Sequence, residues 1–297
     1  MADDDLIRLF LCGDVMTGRG IDQALPHPCE PTLDEGYVKD ARVYVKIAEE
    51  ANGPIPRPVD FAYIWGDALA ELSRFQPDVR LINLETSVTA SEDRWPDKEI
   101  HYRMHPRNVP CLTAAGVHCC SLANNHVLDR GLGGLRETLD TLKAAGIKGA
   151  GAGRNLSEAA SPAVVDVAGK ERVVILSLGS ETSGIRREWG ATADGPGVYL
   201  LEDLSVETAE AVGERRRRLR RPGDVVVASI HWGPNWGYPI TREEVRFARR
   251  LVDTGGVDVI HGHSSHHVKG HGINKGGHNR DVVESTVCPL AIPAQHL

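Results

Sequence analysis

Short apolar runs that stop at a polar residue constrain the fold of this 297-residue chain more than any other feature. Each run has the length of a buried β-strand, and segments with helical spacing lie between several of them. The clearest runs cover residues 6–12, 79–84, 117–122, 225–230 and 257–260. Strands that alternate with helices predict an α/β fold whose core sheet is largely parallel.

Two segments carry clear helix signals. A set of leucines repeats at the spacing of one helix face, at positions 132, 135, 139 and 142, and Gly146 follows. Thr241 and Glu244 have the spacing of a capping box, which predicts the start of a helix that Gly255 ends. Because no internal repeat or low-complexity linker divides the chain, we predict a single domain.

Composition and charge exclude several classes of protein. The formal net charge of -7 argues against a general nucleic-acid binder, which usually carries a basic face. The six cysteines include no C-x-x-C pair, which favours reduced, buried thiols in a reducing compartment, and the adjacent Cys119 and Cys120 should point to opposite faces of a strand. The sequence contains neither a secretory signal pattern nor a stretch of ~18 apolar residues. We therefore expect a cytoplasmic protein without a membrane span.

Metal-capable side chains follow the predicted strands. They are Asp14, Glu85, Asn125, His126, His231, His261, His263, His266 and His267. In an open α/β sheet, ligands bind beyond the carboxyl ends of the strands, so these distant residues are expected to meet. Imidazole, carboxylate and amide oxygen together suit a divalent ion such as Mn, Fe, Zn or Co.

This mixture of side chains matches the needs of phosphoester chemistry. Two ions ~3.5–4 Å apart can bind a phosphoryl group and activate a water molecule. A carboxylate can bridge the ions, and neutral imidazoles fix their geometry. A further histidine that does not bind metal can protonate the leaving oxygen.

Each of these residues, taken alone, also has a plainer interpretation. Asp14 follows a glycine and can cap a turn, and a carboxylate such as Glu85 is common at the end of a strand. Asn125 can serve a loop with left-handed backbone, and His231 can be an ordinary packed histidine. The four histidines within residues 261–267 are harder to explain by packing, although a surface cluster without a ligand role remains the alternative.

Five segments, in this order, resemble the CapA-type poly-γ-glutamate capsule-synthesis proteins of the calcineurin-like metallophosphatase superfamily. They read FLCGDVMTGRG (10–20), LINLET (81–86), SLANNHVLDRG (121–131), SIHWG (229–233) and HGHSSHH (261–267). The resemblance covers roughly residues 6–270. It implies a metallophosphoesterase-like β-sandwich core flanked by helices in one domain, residues 1–270, followed by a divergent or truncated tail, residues 271–297.

The resemblance also implies roles for individual residues. His126 corresponds to the general acid or leaving-group contact of the superfamily rather than to a metal ligand. The implied cofactor is a divalent metal, as two ions of Mn, Fe or Zn. The implied metal ligands are Asp14, Glu85, Asn125, His231, His263 and His266.

Three departures from the superfamily pattern stand out. Met16 takes the third position of the usual D-x-H motif, so one metal lacks that ligand. The last motif is usually H-x-H, whereas His263 and His266 are three residues apart, and His261 or His267 can substitute. Residues 271–297 lack the strand pattern that usually follows, which predicts an incomplete sheet edge.

Three functions follow as hypotheses. The first is a metal-dependent phosphoesterase-like hydrolase that acts on a small-molecule or polymeric anionic substrate. The second is a non-hydrolytic accessory protein for the biosynthesis of an anionic polymer, poly-γ-glutamate. The third is a catalytically degenerate relative, suggested by Met16 and the unusual tail.

Overall fold

Two β-sheets form the core of the computed structural model, which describes residues 6–270, 272–274 and 280–284. The strands are β1 (Leu9–Val15), β2 (Val79–Leu84), β3 (Ser87–Val88), β4 (Arg103–Met104), β5 (Cys119–Ser121), β6 (Lys148–Ala150), β7 (Ala152–Gly153), β8 (Ala163–Val165), β9 (Val173–Gly179), β10 (Gly197–Val198), β11 (Val225–His231), β12 (Val259–His263), β13 (Gly272–Asn274) and β14 (Arg280–Glu284). The first core sheet has the order β1-β2-β5-β6, and the second has the order β13-β14-β12-β11-β9-β8.

Helices pack against the two core sheets and against the loops and short strands around them. They are α1 (Gly20–Ala24), α2 (Arg42–Asn52), α3 (Ala68–Phe75), α4 (Pro110–Ala114), α5 (Gly131–Ala144), α6 (Leu156–Ala159), α7 (Val206–Leu219) and α8 (Arg242–Asp253). Leu135 and Leu142 of α5 pack on the first sheet, and Phe247 and Leu251 of α8 pack on the second. The first sheet is wholly parallel. The second is parallel except at its two edges, where β8 pairs antiparallel with β9 and β13 pairs antiparallel with β14. The predicted α/β class is confirmed.

The inner faces of the two sheets pack directly against each other. Side chains from both sheets form one buried apolar cluster, which includes Val79, Leu81, Cys119, Val173, Ile175 and Val227. A strand that is covered on both faces needs apolar residues at successive positions, which explains the continuous apolar runs in the sequence. The sandwich core flanked by helices is therefore confirmed.

The adjacent cysteines illustrate how alternation along a strand serves two cores. Cys119 faces the layer between the sheets, whereas Cys120 belongs to the cluster between the first sheet and its helices. Both side chains are fully buried and neither forms a disulfide. The expected opposite orientation of the two thiols is confirmed.

Several strands extend further than their apolar runs predict. β1 continues through Asp14 to Val15, with a register shift between Cys12 and Asp14, because Asp14 and Val15 still pair with the neighbouring strand β2. β11 includes His231, and β12 includes His263. The polar residues expected just beyond these strands therefore lie within them: His231 and His263 are the last paired residues of their strands, and Asp14 is the last but one of β1.

The part of the chain after residue 270 contributes to the second sheet. β14 pairs parallel with β12, and β13 pairs antiparallel with β14, so the sheet continues past β12 instead of ending there. The remainder of the predicted tail, at 271, 275–279 and 285–297, lies outside the described residues. Among the helices that the structure describes, none has the length and apolar character needed to cross a membrane.

The capping box of α8 gives a test of local stability. Thr241 Oγ1 accepts a hydrogen bond from the Glu244 amide at 3.1 Å, and Glu244 Oε2 accepts one from the Thr241 amide at 2.7 Å. Thr241→Ala removes the first bond, and we expect a loss of about 1 kcal/mol in the free energy of unfolding, measured with urea. Glu243 lies exposed in the same turn, and Glu243→Ala is the control. An equal loss of stability in both variants would contradict a stabilising role of the capping box.

Candidate metal centre

The carboxyl ends of strands from both sheets meet at one end of the sandwich. His231 and His263 lie directly opposite each other on β11 and β12, and Asp14 lies at the end of β1 in the other sheet. Asp14 Oδ1 is 3.8 Å from Nδ1 of each histidine. Glu85, which follows β2, places Oε1 4.0 Å from His231 Nε2. Four residues far apart in sequence therefore share one buried site.

The ligand-type atoms of this site fall into two groups that share Asp14. One group contains Asp14, His231 and His263, and the other contains Asp14, Glu85 and His266. Within each group, one ligand atom from each residue lies within 4.8 Å of those from the other two. A carboxylate shared between two ligand groups is an arrangement that could hold a pair of ions.

Buried atoms without partners show that these residues fit divalent cations. Asp14 Oδ2, Glu85 Oε2 and His266 Nε2 are buried and have no hydrogen-bond partner among the described residues. Because an unpaired buried polar atom is costly, a cation that takes their lone pairs would stabilise the site. Carboxylate oxygen and imidazole nitrogen are common ligands of Mn, Fe and Zn.

The pKa shifts of the histidines in the site agree with their use as metal ligands. Burial raises the pKa of Asp14 to about 6, although hydrogen bonds with Asn83, Glu85 and the Ser264 backbone oppose this shift. Burial, and then the charge of Asp14, raise the pKa of Glu85 well above its usual value. Burial lowers the pKa values of His231 and His263 well below the usual value, which favours the neutral imidazole that binds metals.

A network of buried amides holds the Asp14 carboxylate. Asn83 Nδ2 donates to Asp14 Oδ1 at 2.8 Å, and Asn124 Nδ2 donates to Asn83 Oδ1 at 3.0 Å. Asn124 Oδ1 in turn accepts from the amides of His126 and Val127. Sequence reasoning did not identify Asn83, although an asparagine inside an otherwise apolar run was a signal for it.

The remaining predicted ligand, Asn125, also reaches the site. Its Oδ1 lies 3.2 Å from His231 Nε2, on the side of that ring away from His263. Met16, at the third position of the first motif, is half-buried and offers no oxygen or nitrogen ligand from its side chain. Among the described residues, the side chain at position 16 therefore supplies no metal ligand in place of the histidine of the D-x-H motif.

The four histidines within residues 261–267 have different surroundings. His263 and His266 belong to the two ligand groups. His261 Nδ1 pairs with Ser229 Oγ at 3.1 Å, and the same hydroxyl lies 2.8 Å from His263 Nε2, so that His263 Nδ1 faces Asp14. The His267 ring packs against Tyr238 at 4.4 Å. Ser229 is thus a positioning residue that the sequence patterns did not reveal.

His126 lies beside the two ligand groups, between two carboxylates. Its Nε2 is 3.7 Å from Glu85 Oε1, and its Nδ1 is 2.6 Å from Asp129 Oδ2. Lys98 Nζ lies 2.5 Å from Asp129 Oδ1, and the Tyr102 ring stacks on His126 at 4.0 Å. Burial lowers the pKa of His126 to about 4, although Asp129 opposes this shift.

Asp129 therefore fixes which nitrogen of His126 faces the site. The pKa of Asp129 is lowered, so its carboxylate favours the tautomer with the proton on Nδ1, which turns the Nε2 lone pair towards Glu85; Lys98 Nζ also lies 3.0 Å from that Nδ1. Sequence reasoning missed Asp129 and Lys98. The position of Asp129, three residues after His126 in the motif, was the available signal.

Metal content tests the two ligand groups. After loading with Mn, we expect about two ions per parent chain, about one in His263→Ala or His266→Ala, and almost none in Asp14→Asn, because only Asp14 belongs to both groups. Elemental analysis of the purified proteins measures this. His267→Ala is the control and should keep the parent value. A parent chain without Mn, or an Asp14→Asn variant that retains both ions, would refute the assignment.

Comparison with known proteins places the chain in a family. Residues 8–282 match the family model described as "Bacterial capsule synthesis protein PGA_cap". A "Probable polyglutamine synthesis accessory protein" of Mycobacterium tuberculosis is 48% identical over 264 residues, which are 89% of this chain and 69% of that protein.

Two Bacillus proteins are more distant relatives. The "Capsule biosynthesis protein CapA" of Bacillus anthracis is 27% identical over 93% of this chain, and the "PGA biosynthesis protein CapA" of Bacillus subtilis is 29% identical over 89%. The chain covers 58% of the length of each. The resemblance seen in the five motifs is thereby confirmed, and the chain belongs to the PGA_cap family of bacterial capsule synthesis proteins.

Proposed function

We propose that this chain is a metal-dependent phosphoesterase-like hydrolase that acts on an anionic substrate connected with capsule or polyglutamate synthesis. The observation that carries the proposal is the pair of ligand groups sharing Asp14, with His126 held beside them by Asp129. A purely structural polar cluster does not need buried carboxylates with unpaired oxygens.

The ligand residues define where an anionic group would bind. Asp14, His231 and His263 would hold one ion, and Asp14, Glu85 and His266 would hold the other. Bound divalent metal would supply Lewis acidity and a water molecule of lowered pKa. Asn83 keeps Asp14 in place through its 2.8 Å hydrogen bond, and Ser229 keeps Nδ1 of His263 turned towards Asp14.

His126 is suited to move a proton at the reacting group. In the neutral form that burial favours, its Nε2 can accept a proton from the attacking water, and the Asp129 carboxylate at Nδ1 would stabilise the imidazolium that forms. That proton can then pass to the leaving oxygen. Lys98 and Tyr102 restrict the ring, because the first binds Asp129 and the second stacks on the imidazole.

The second candidate function is that of a non-hydrolytic accessory protein for polymer synthesis. The names of the Mycobacterium and Bacillus relatives favour it, since they describe accessory and biosynthetic roles. In this alternative, the same cations would bind carboxylates of an anionic polymer, and His126 would form a hydrogen bond to the bound group without transferring a proton. A catalytically degenerate relative would show neither activity.

Turnover of phosphoesters separates these functions. On a panel of generic phosphoesters with the Mn-loaded protein, we expect His126→Asn to lower kcat about 100-fold, because proton transfer contributes that much or more. Asp129→Asn should also lower kcat, because the ring loses the carboxylate that orients it. Asp14→Ala should abolish turnover together with metal binding, and His231→Ala should abolish turnover while about one ion is retained, because His231 belongs to one ligand group only.

Controls distinguish a loss of chemistry from a loss of metal. His126→Asn should keep the parent metal content, and His267→Ala should keep the parent rate. Equal rates in the parent and in Asp14→Ala would remove the hydrolase proposal. Metal-dependent binding of poly-γ-glutamate, measured by calorimetry with no turnover of any phosphoester, would favour the accessory function instead.

A further inference from the structure

A second cavity, lined by arginines, lies on the other side of Tyr102 from His126. Arg19, Arg103, Arg130 and His101 line it, together with Asp22 and Glu30. Its empty space of about 250 Å³ includes the part that opens to solvent. The three guanidinium groups come from the loop after β1, from β4 and from the residue before α5. They are brought together only by the fold.

Two of the arginines are buried to a degree that is rare for this residue type. Arg103 is 7% exposed and Arg130 is 3% exposed. Arg103 is held by the carbonyl oxygens of Ser91 and Glu30. Arg130 Nε is buried without a hydrogen-bond partner among the described residues, and so is Arg19 Nη2. The cavity therefore contains unsatisfied donors of positive charge.

The acidic residues nearby do not reach Arg130, although Glu35 pairs with Arg19, Glu92 Oε1 lies 4.0 Å from Arg103 Nη1, and Asp22 and Glu30 also line the cavity. Asp22 accepts hydrogen bonds from the amides of Cys29 and His105 and from Asn108 Nδ2, so neutral donors occupy its oxygens. Glu35 is paired with Arg19 Nε at 2.6 Å and with the Tyr44 hydroxyl. Among the described residues, no carboxylate lies within ion-pair distance of Arg130. Burial, with Arg103 and Arg94 nearby, lowers the pKa of Arg130 to about 10.

The cavity and the metal centre share a wall. The Arg19 guanidinium lies 4.9 Å from the Tyr102 ring centre, and the same ring stacks on His126 at 4.0 Å. Asp129 and Arg130 are neighbours in sequence, yet the first binds His126 and the second lines the cavity. An anion in the cavity would thus lie close to a group bound at the candidate metal centre.

We propose that the Arg19–Arg103–Arg130 cavity binds a compact oxyanion, a carboxylate or a phosphate. Guanidinium groups offer paired N–H donors that match such anions, and a buried anion would supply the partner that Arg130 Nε and Arg19 Nη2 lack among the described residues. In the protein at work, this anion would be a second acidic group of the substrate that binds at the metal centre. This further step rests on the proposed function. Anion binding itself does not depend on it.

Anion binding is tested in the metal-free full chain, where the metal centre does not contribute through bound ions. Inorganic phosphate and glutarate are the probes, and chloride at equal ionic strength is the reference. With the parent, we expect at least one probe to bind in calorimetry and to raise Tm by several degrees at about 100-fold excess over Kd. The probe that binds more tightly distinguishes phosphate from carboxylate.

Variants place the binding in the cavity. Arg130→Met keeps the bulk of the side chain and removes its charge, and we expect Kd to weaken at least about tenfold. Arg154→Met is the charge control, because Arg154 pairs with Asp140 and Glu158 outside the cavity lining, and it should change Kd less than about threefold. Arg130→Lys should give an intermediate Kd, because it keeps the charge and loses the paired donors.

Several outcomes overturn the proposal. The first is that neither probe changes the Tm or the calorimetric signal of the parent relative to chloride. The second is that Arg130→Met binds the probe with the affinity of the parent. If Arg130→Met does not fold, parent-like affinity in Arg130→Lys has the same consequence. Because no step uses metal or turnover, loss of the cavity proposal leaves the hydrolase proposal intact, and an inactive metal centre leaves the cavity proposal intact.

Discussion

Two buried carboxylates that face each other set the conditions for the rest of this structure. Asp14 and Glu85 are 1% and 2% exposed; burial raises the pKa of both, and the charge of Asp14 further raises the cost of ionising Glu85. Such a pair is stable only when a proton or a cation compensates the charge. The amides of Asn83 and Asn124 and the neutral imidazoles around the pair supply dipoles and lone pairs, but no permanent positive charge.

The sandwich brings these groups together because parallel strands end on the same side. The ladder between β11 and β12 places His231 opposite His263, and the pairing of β1 with β2 places Asp14 opposite Asn83. Because His231 and His263 are the last paired residues of their strands, and Asp14 and Asn83 stand one residue before the ends of theirs, backbone hydrogen bonds of the ladders hold all four. The site is therefore rigid at its base, while His266 and Asn125 approach it from the loops that follow.

Much of this arrangement could be predicted from the sequence, for a physical reason. An apolar run marks a strand, and parallel strands bring their ends together, so Asp14, Glu85 and His231 could be assigned to one site without a structure. Asn83, Asp129 and Ser229 could not, because each acts through a neighbour that only the fold supplies. Arg19, Arg103 and Arg130 likewise lie in three separate segments, and no spacing in the sequence links them.

The Tyr102 ring divides the surroundings of the centre into two electrostatic environments. On one side, Asp14 and Glu85 have buried oxygens without partners among the described residues, which a cation could occupy, and Asp129 holds the His126 ring. On the other side, the guanidinium groups of Arg103 and Arg130 favour an anion. Because Arg19 and Tyr102 contact each other across this boundary, a ligand with two acidic groups is better matched to the protein than a ligand with one. Hydrolysis and polymer binding would both use that match, and they differ only in whether His126 transfers a proton.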